Sequence, residues 1–240
     1  MENIKIFDNF LNDEDLSKIL ENISTFNWKF GHISIRHQFS PPFWVNQLED
    51  NPFFSTYLKS KIEIATSKKF NLNKVYANGQ TFGQDGCFHQ DDIREDCFTF
   101  CLYINNIDMN EIDFFGGYFQ FKIPELKHFI ISIEPYMNRG ILFPSKYMHK
   151  GNAFSRYGND IRVSIVWKFQ EIQTDYSTQT VNKNAQYVSP SSRITVPTED
   201  VLNVERSNNK IEENSTSIYN NHSYEPIILF TPYNNDIMKK

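Results

Sequence analysis

The sequence predicts a mainly β protein: a sandwich or barrel of short strands preceded by helices. Three observations carry that expectation. Aromatic residues make up 15% of the 240 residues, with Phe alone contributing 22, and large rings suit a pleated, half-buried surface. Between residues 74 and 170, runs rich in Phe, Tyr, Ile and Val recur between Gly, Asn, Asp and Pro punctuation. Helical spacing, by contrast, is confined to the first 73 residues. Short strands separated by frequent turn signals are the pattern of sandwiches and barrels.

In chain order, Ile4 to Phe7 (IKIF) reads as a first strand. Asn12 is a candidate helix N-cap, followed by acidic residues and by Leu16, Ile19, Leu20 and Ile23 at helical spacing. A carboxylate in the first turn is favoured by the helix dipole. A second helix is expected from Asn51-Pro52, since Pro is tolerated at the first helical position. It would place Phe54, Tyr57, Leu58 and Ile62 on one core-facing side. The strand runs then follow as VYANGQTF, FTFCLYIN, GYFQFKI, FIISIEP, ILFP and RVSIVWKF. Residues 1–170 are therefore expected to form one domain, with helical support over 1–73 and a β core over 74–170. Residues 171–240 change to Asn, Ser, Thr and Gln without periodicity, the composition of a polar, flexible tail. Within it, 226–230 is a short apolar island suited to adding a strand to a sheet edge, of this chain or of a partner.

Composition narrows the class. The net charge is −5, which gives no global attraction to nucleic acid or anionic lipid, and no basic, aromatic stripe is present. No partner of either kind is expected. The three cysteines, Cys87, Cys97 and Cys101, are too few for a disulfide framework and lack paired zinc spacing. No signal peptide or membrane span is visible, so a reducing, cytoplasmic location is expected.

Three short patterns are candidates for chemistry. His89-Gln90-Asp91 places an imidazole and a carboxylate two residues apart, on one side of an extended segment. Taken alone, a hydrogen-bonded polar pair at a strand end explains it as well. His149 follows the buried-looking strand ILFP, and with His89 and Asp91 it would complete two imidazoles and a carboxylate, a facial triad with open positions. The competing reading is a turn histidine flanked by Lys146 and Lys150. Arg162 and Ser164 share one side of RVSIVWKF, opposite Val163, Ile165 and Trp167. An inward Arg is costly unless it meets an anion, and a guanidinium beside a hydroxyl suits a dicarboxylate. The alternative is an Arg salt-bridged at a strand edge. In FTFCLYIN, Thr99, Cys101 and Tyr103 alternate with Phe98, Phe100 and Leu102, so Tyr103 is a candidate donor to a bound acid. His128 is the reserve choice for the third ligand.

From about Val75 to Phe169, these segments together resemble the prolyl 4-hydroxylase-like branch of the 2-oxoglutarate- and Fe(II)-dependent oxygenases. YANGQTFGQDGCFHQDD resembles the family's first metal-binding region. FTFCLYINN resembles the strand bearing a co-substrate tyrosine, and GGYFQF the turn and strand that follow it. RGILFPSKYMHKGN resembles the region of the distal histidine, and RVSIVWKF the closing strand. The opening IKIFDNFLNDEDLSKIL is also similar. The resemblance implies a double-stranded β-helix, a jelly-roll or cupin-like barrel, with N-terminal helices packed on one sheet. It implies Fe(II) on His89, Asp91 and His149, and 2-oxoglutarate held by Arg162, Ser164 and Tyr103. Arg stands where many relatives carry Lys. O2 would be the second co-substrate, with ascorbate a candidate accessory. The implied activity is hydroxylation of a C–H bond, on a prolyl or other residue of a protein or peptide. A small-molecule substrate and a non-catalytic binding module on the same fold are the alternatives.

Overall fold

A computed structural model of the chain describes residues 3–36, 39–123, 126, 128–158, 160–173 and 229–232. Met1–Gln173 and Pro226–Lys240 group as one compact unit, and Thr174–Glu225, the other, lies outside the described residues. Most of the polar tail expected over 171–240 therefore also lies outside them.

The described chain is a double-stranded β-helix. Its elements are β1 (Lys5–Phe7), α1 (Asp13–Ile23), β2 (Lys29–His32), β3 (Phe43–Gln47), a π-helical turn (Phe53–Leu58) running into α2 (Lys59–Thr66), and the long β4 (Phe70–Gln80). Then come β5 (Cys97–Tyr103), the single turn α3 (Ile112–Phe115), β6 (Phe119–Lys122), β7 (Phe129–Ile133), β8 (Gly140–Pro144), β9 (Met148–Gly151), β10 (Arg162–Glu171) and β11 (Leu229–Pro232). Seven strands form one sheet in the order β1-β8-β5-β10-β4-β3-β2, and four form the other in the order β11-β7-β6-β9. Neighbouring strands pair antiparallel throughout, and Leu229–Pro232 adds to β7, an edge of this chain's own smaller sheet.

The larger sheet packs an apolar cluster on each face, and its inner face also carries the polar residues of the cavity. On the outer face, Val75, Ala77, Phe100, Leu102, Val163, Ile165 and Trp167 pack with Ile19 of α1, Phe54 and Leu58 of the π turn, and Ile62 of α2. The inner face presents Tyr76, Cys101, Tyr103, Ile141, Phe143 and Val166 to Phe119, Phe121, Ile131 and Ile133 of the smaller sheet. Successive strand residues point to opposite faces, which is how β5 and β10 serve both clusters at once.

The helical support forms as its caps dictate. The Asn12 side chain accepts from the Asp15 backbone N–H at 2.9 Å, and Asp15, buried in α1, pairs with Lys61 of α2 at 2.6 Å. The Trp167 indole donates to the Phe54 carbonyl at 2.9 Å, tying the sheet to the π turn. Phe54, Leu58 and Ile62 are fully buried, but Tyr57 is exposed and stacks on Phe53. The π turn widens the spacing from that of an α-helix, so Tyr57 leaves the face that regular helical spacing assigns it.

Besides the two helices and the expected strand β1, residues 1–73 hold β2, β3 and the first part of β4. β2 and β3 are short strands beside β4 at the sheet edge. β3 pairs with that long neighbour and β2 with β3, so sheet pairing sets their conformation more than their own composition does. No described helix is long and apolar enough to cross a membrane.

Trp167→Ala should destabilise the protein by about 3–5 kcal/mol, because it opens a cavity between sheet and helices and strands a buried carbonyl. Asn12→Ala, which removes only a cap, should cost about 1 kcal/mol. Urea midpoints of the two variants check the ratio.

Candidate metal centre

The loop after β4 is fastened to the β8–β9 segment by backbone hydrogen bonds. His89 and His149 exchange N–H to carbonyl bonds of 3.0 and 2.9 Å, and the Asp91 N–H donates to the Ser145 carbonyl at 2.9 Å. The loop therefore needs no strand of its own to place its side chains. His149 is not a turn histidine: it lies in β9, buried, among the rings of Phe119, Phe121 and Phe143.

Each imidazole is oriented by a neighbouring carbonyl. Nδ1 of His89 lies 2.9 Å from the Cys87 carbonyl, and Nδ1 of His149 lies 2.8 Å from that of Tyr147. A carbonyl only accepts, so the proton belongs on Nδ1 and the Nε2 lone pair is free for a cation. Those Nε2 atoms stand 3.4 and 3.5 Å from the two Asp91 oxygens. One ligand atom from each of the three residues lies within 4.8 Å of the others, and no other such group occurs among the described residues. His128 is elsewhere, exposed in the turn before β7 with φ of 75°.

The carboxylate is held on both sides. Thr99 donates to Oδ2 at 2.7 Å and itself meets the Ser145 hydroxyl at 2.9 Å, while Lys168 contacts Oδ1 at 2.7 Å. Burial acts to raise the Asp91 pKa, yet contact with His89 and proximity to His149 and Lys168 keep it below its ordinary value. Burial pushes His149 down to about 4, against the opposing pull of Asp91.

Arg162 opens β10 and is 2% exposed. Nε donates to the Gly117 carbonyl at 2.9 Å and Nη1 to the Gln80 side chain at 2.8 Å, while the buried Nη2 has no hydrogen-bond partner among the described residues. No carboxylate pairs with it among the described residues, so the edge salt bridge is not what it forms. Gly151 leaves room for the guanidinium, since a Cβ there would come within 3.3 Å of Nη1, and Gly117 (φ 78°) leaves room for the Phe154 ring. A cavity of about 160 Å³ joins His89, Asp91, His149, Arg162 and Ser164. Tyr103 is not on its wall. Its ring lies 5.2 Å from the Arg162 guanidinium carbon and its buried hydroxyl has no hydrogen-bond partner among the described residues. Burial raises its pKa well above the ordinary value, so the phenol keeps its proton.

No protein-family model and no curated protein matches the sequence. Solved structures do match. One is a prolyl hydroxylase from Trichoplax adhaerens, in complex with a hypoxia inducible factor peptide fragment. It is 19% identical with a TM-score of 0.55, over 70% of this chain and 84% of that one. A 2OG-Fe(II) oxygenase family oxidoreductase from Burkholderia pseudomallei is 9% identical with a TM-score of 0.54, over 70% and 85%. HygX from Streptomyces hygroscopicus, with nickel, 2-oxoglutarate and hygromycin B bound, is 10% identical with a TM-score of 0.53, over 70% and 82%. The chain has the fold of the 2-oxoglutarate- and Fe(II)-dependent oxygenases. In this oxygenase fold the sequence motifs converge on one cavity, although Tyr103 stands behind its wall.

Several cavity residues escape motif reading. Lys168 continues the alternation of Arg162, Ser164 and Val166 on the inward side of β10, so that period was its signal. Thr99 lies on the inward side of β5 as its alternation with Phe98 and Phe100 predicts, but nothing local pairs it with Asp91. Gln80 and His32 had no local signal, since only pairing across the sheet brings them to the cavity.

His149 gives the metal-free protein a pH dependence of defined sign. Its folded pKa of about 4 lies below the ordinary 6.5, so the unfolded chain takes up the proton first. Stability should be unaffected above about pH 6.5 and fall as pH drops toward 4, by about 3 kcal/mol in all. Urea unfolding of metal-free wild type and His149→Phe across that window checks it, and the variant should lose less.

Proposed function

We propose that the chain is an Fe(II)- and 2-oxoglutarate-dependent dioxygenase that hydroxylates a C–H bond. The observation that carries the reading is one cavity joining two imidazoles and a carboxylate to a buried arginine whose Nη2 has no hydrogen-bond partner among the described residues. Two histidines and one carboxylate suit Fe(II) and leave coordination positions open. A buried guanidinium with no carboxylate of its own suits the distal acid of 2-oxoglutarate.

On this reading His89 and His149 bind through Nε2 and Asp91 through one oxygen, with Thr99 steadying the other. Gln80 and the Gly117 carbonyl occupy two donors of Arg162 and so fix the plane of its fork. Ser164 supplies a further donor toward the acid, and the Tyr103 ring backs the Arg162 guanidinium from behind the wall. Phe119, Phe121 and Phe143 keep water from the His149 side. With iron, co-substrate and O2 in place, the site supplies C–H hydroxylation with succinate and CO2 as co-products. Three free cysteines and Fe(II) chemistry both suit a reducing, cytoplasmic compartment.

A prolyl or other residue of a peptide is the favoured substrate, in line with the prolyl hydroxylase that shares the fold and holds a peptide. The hygromycin B complex on the same fold makes a small molecule the second reading.

Anaerobic addition of Fe(II) and 2-oxoglutarate should produce a weak visible absorption band, and admitting O2 should yield succinate. Absence of both overturns the proposal. Arg162→Ala should weaken 2-oxoglutarate binding about 100-fold while leaving iron loading intact. His149→Ala should fail to hold iron at stoichiometric loading, as read by metal analysis after desalting.

A further inference from the structure

The inward side of β10 carries a cation at each end. Arg162 and Lys168 are six residues apart, about 20 Å along a strand, and both line the main cavity. Under the function proposed above, on which this inference rests, Arg162 is matched by the distal acid of 2-oxoglutarate. Lys168 touches Asp91, and no other carboxylate pairs with it among the described residues.

The site carries surplus positive charge. A divalent ion at the triad and a dianionic co-substrate cancel, and Asp91 offsets one of the two cations of β10. One positive charge remains from that strand, and Lys74 on β4 adds a second. The Lys168 side chain is 26% exposed, so its charge is only partly solvated.

A second feature lies beside it. Lys168 stands directly opposite Lys74 in the β10–β4 register, and like charges facing each other across strands are destabilising. The two lysines border a second cavity, of about 180 Å³, together with Asn73, Ser145 and Asp91. Asp92 also borders it, but Arg94 grips both Asp92 oxygens, at 3.0 and 2.8 Å. Lys168 and Asp91 thus form the partition between the two cavities. A lysine has three donors, so Nζ can keep Asp91 and still receive another acceptor.

We infer that the substrate bears a carboxylate, received by Lys168 and Lys74 on the side of the triad away from Arg162. A carboxylate would offset the positive charge that the two lysines bring together, and Lys168 already holds one carboxylate at 2.7 Å. The carboxylate belongs to an acidic side chain of a peptide or to a free amino acid.

The test uses the full chain, loaded anaerobically with Fe(II) and 2-oxoglutarate and followed by its visible band. Two matched probe pairs are titrated. One is a pool of acetylated, amidated tetrapeptides containing a single Glu, against the same pool with Gln. The other is a pool of free L-amino acids against their α-amides. In one pair the acid should bind about tenfold tighter or more, and that pair names the source. The preference should vanish in Lys168→Met, persist in Lys168→Arg and weaken in Lys74→Met. A band with no acid preference in either pair, or with a preference that survives Lys168→Met, overturns the inference alone. Absence of the band before any probe is added overturns the oxygenase reading, and this inference with it.

Discussion

β10 pairs along its length with β4 on one side and β5 on the other, and this register constrains everything else in the molecule. Ser164 sits opposite both Asn78 and Tyr103, and Trp167 opposite Val75 and Phe100. A slip of one residue would send Trp167 into the cavity and Arg162 into the helical layer, because side-chain direction alternates along a strand. The indole bond from Trp167 to the Phe54 carbonyl opposes that slip. The core on one face therefore holds the polar groups on the other in place.

Asp91 is a second point of dependence. Its loop has little secondary structure, yet backbone bonds to Ser145 and His149 fasten it, and Thr99 and Lys168 each hold one carboxylate oxygen. A buried carboxylate needs such partners to stay ionised. The same partners orient it toward the two imidazoles, whose protons their own neighbouring carbonyls have fixed on Nδ1. Stability of the charge and geometry of the site thus come from the same few contacts.

Much of this was legible in advance. Alternation in RVSIVWKF and FTFCLYIN assigns Arg162, Ser164 and Thr99 to one face and Trp167 and Phe100 to the other, and the structure has them so. Asn12 reads as a cap because its side chain serves its own helix, a local matter. Less legible were β2 and β3, whose strand character depends on a distant partner, and β9, whose four residues hide the setting of His149. Tyr57 misleads because a π turn changes the helical phase and leaves no mark in the spacing. Lys168 was visible as one more step of the β10 alternation, but its meaning was not. Nothing local says that a lysine beside Trp167 meets Asp91.

By itself, then, the sequence determined the strand faces, the helix cap, the apolar layers and the residue types available for chemistry. These follow from periodicity and from interactions within a few residues. Only the tertiary structure decided that His89, Asp91 and His149 converge, that Arg162 is buried without a carboxylate among the described residues, that Tyr103 stands behind the cavity wall, and that Lys168 faces Lys74. Those facts depend on how strands far apart in the chain pair and on which loop lies over them. Long-range register and burial set them, and a local pattern does not encode either.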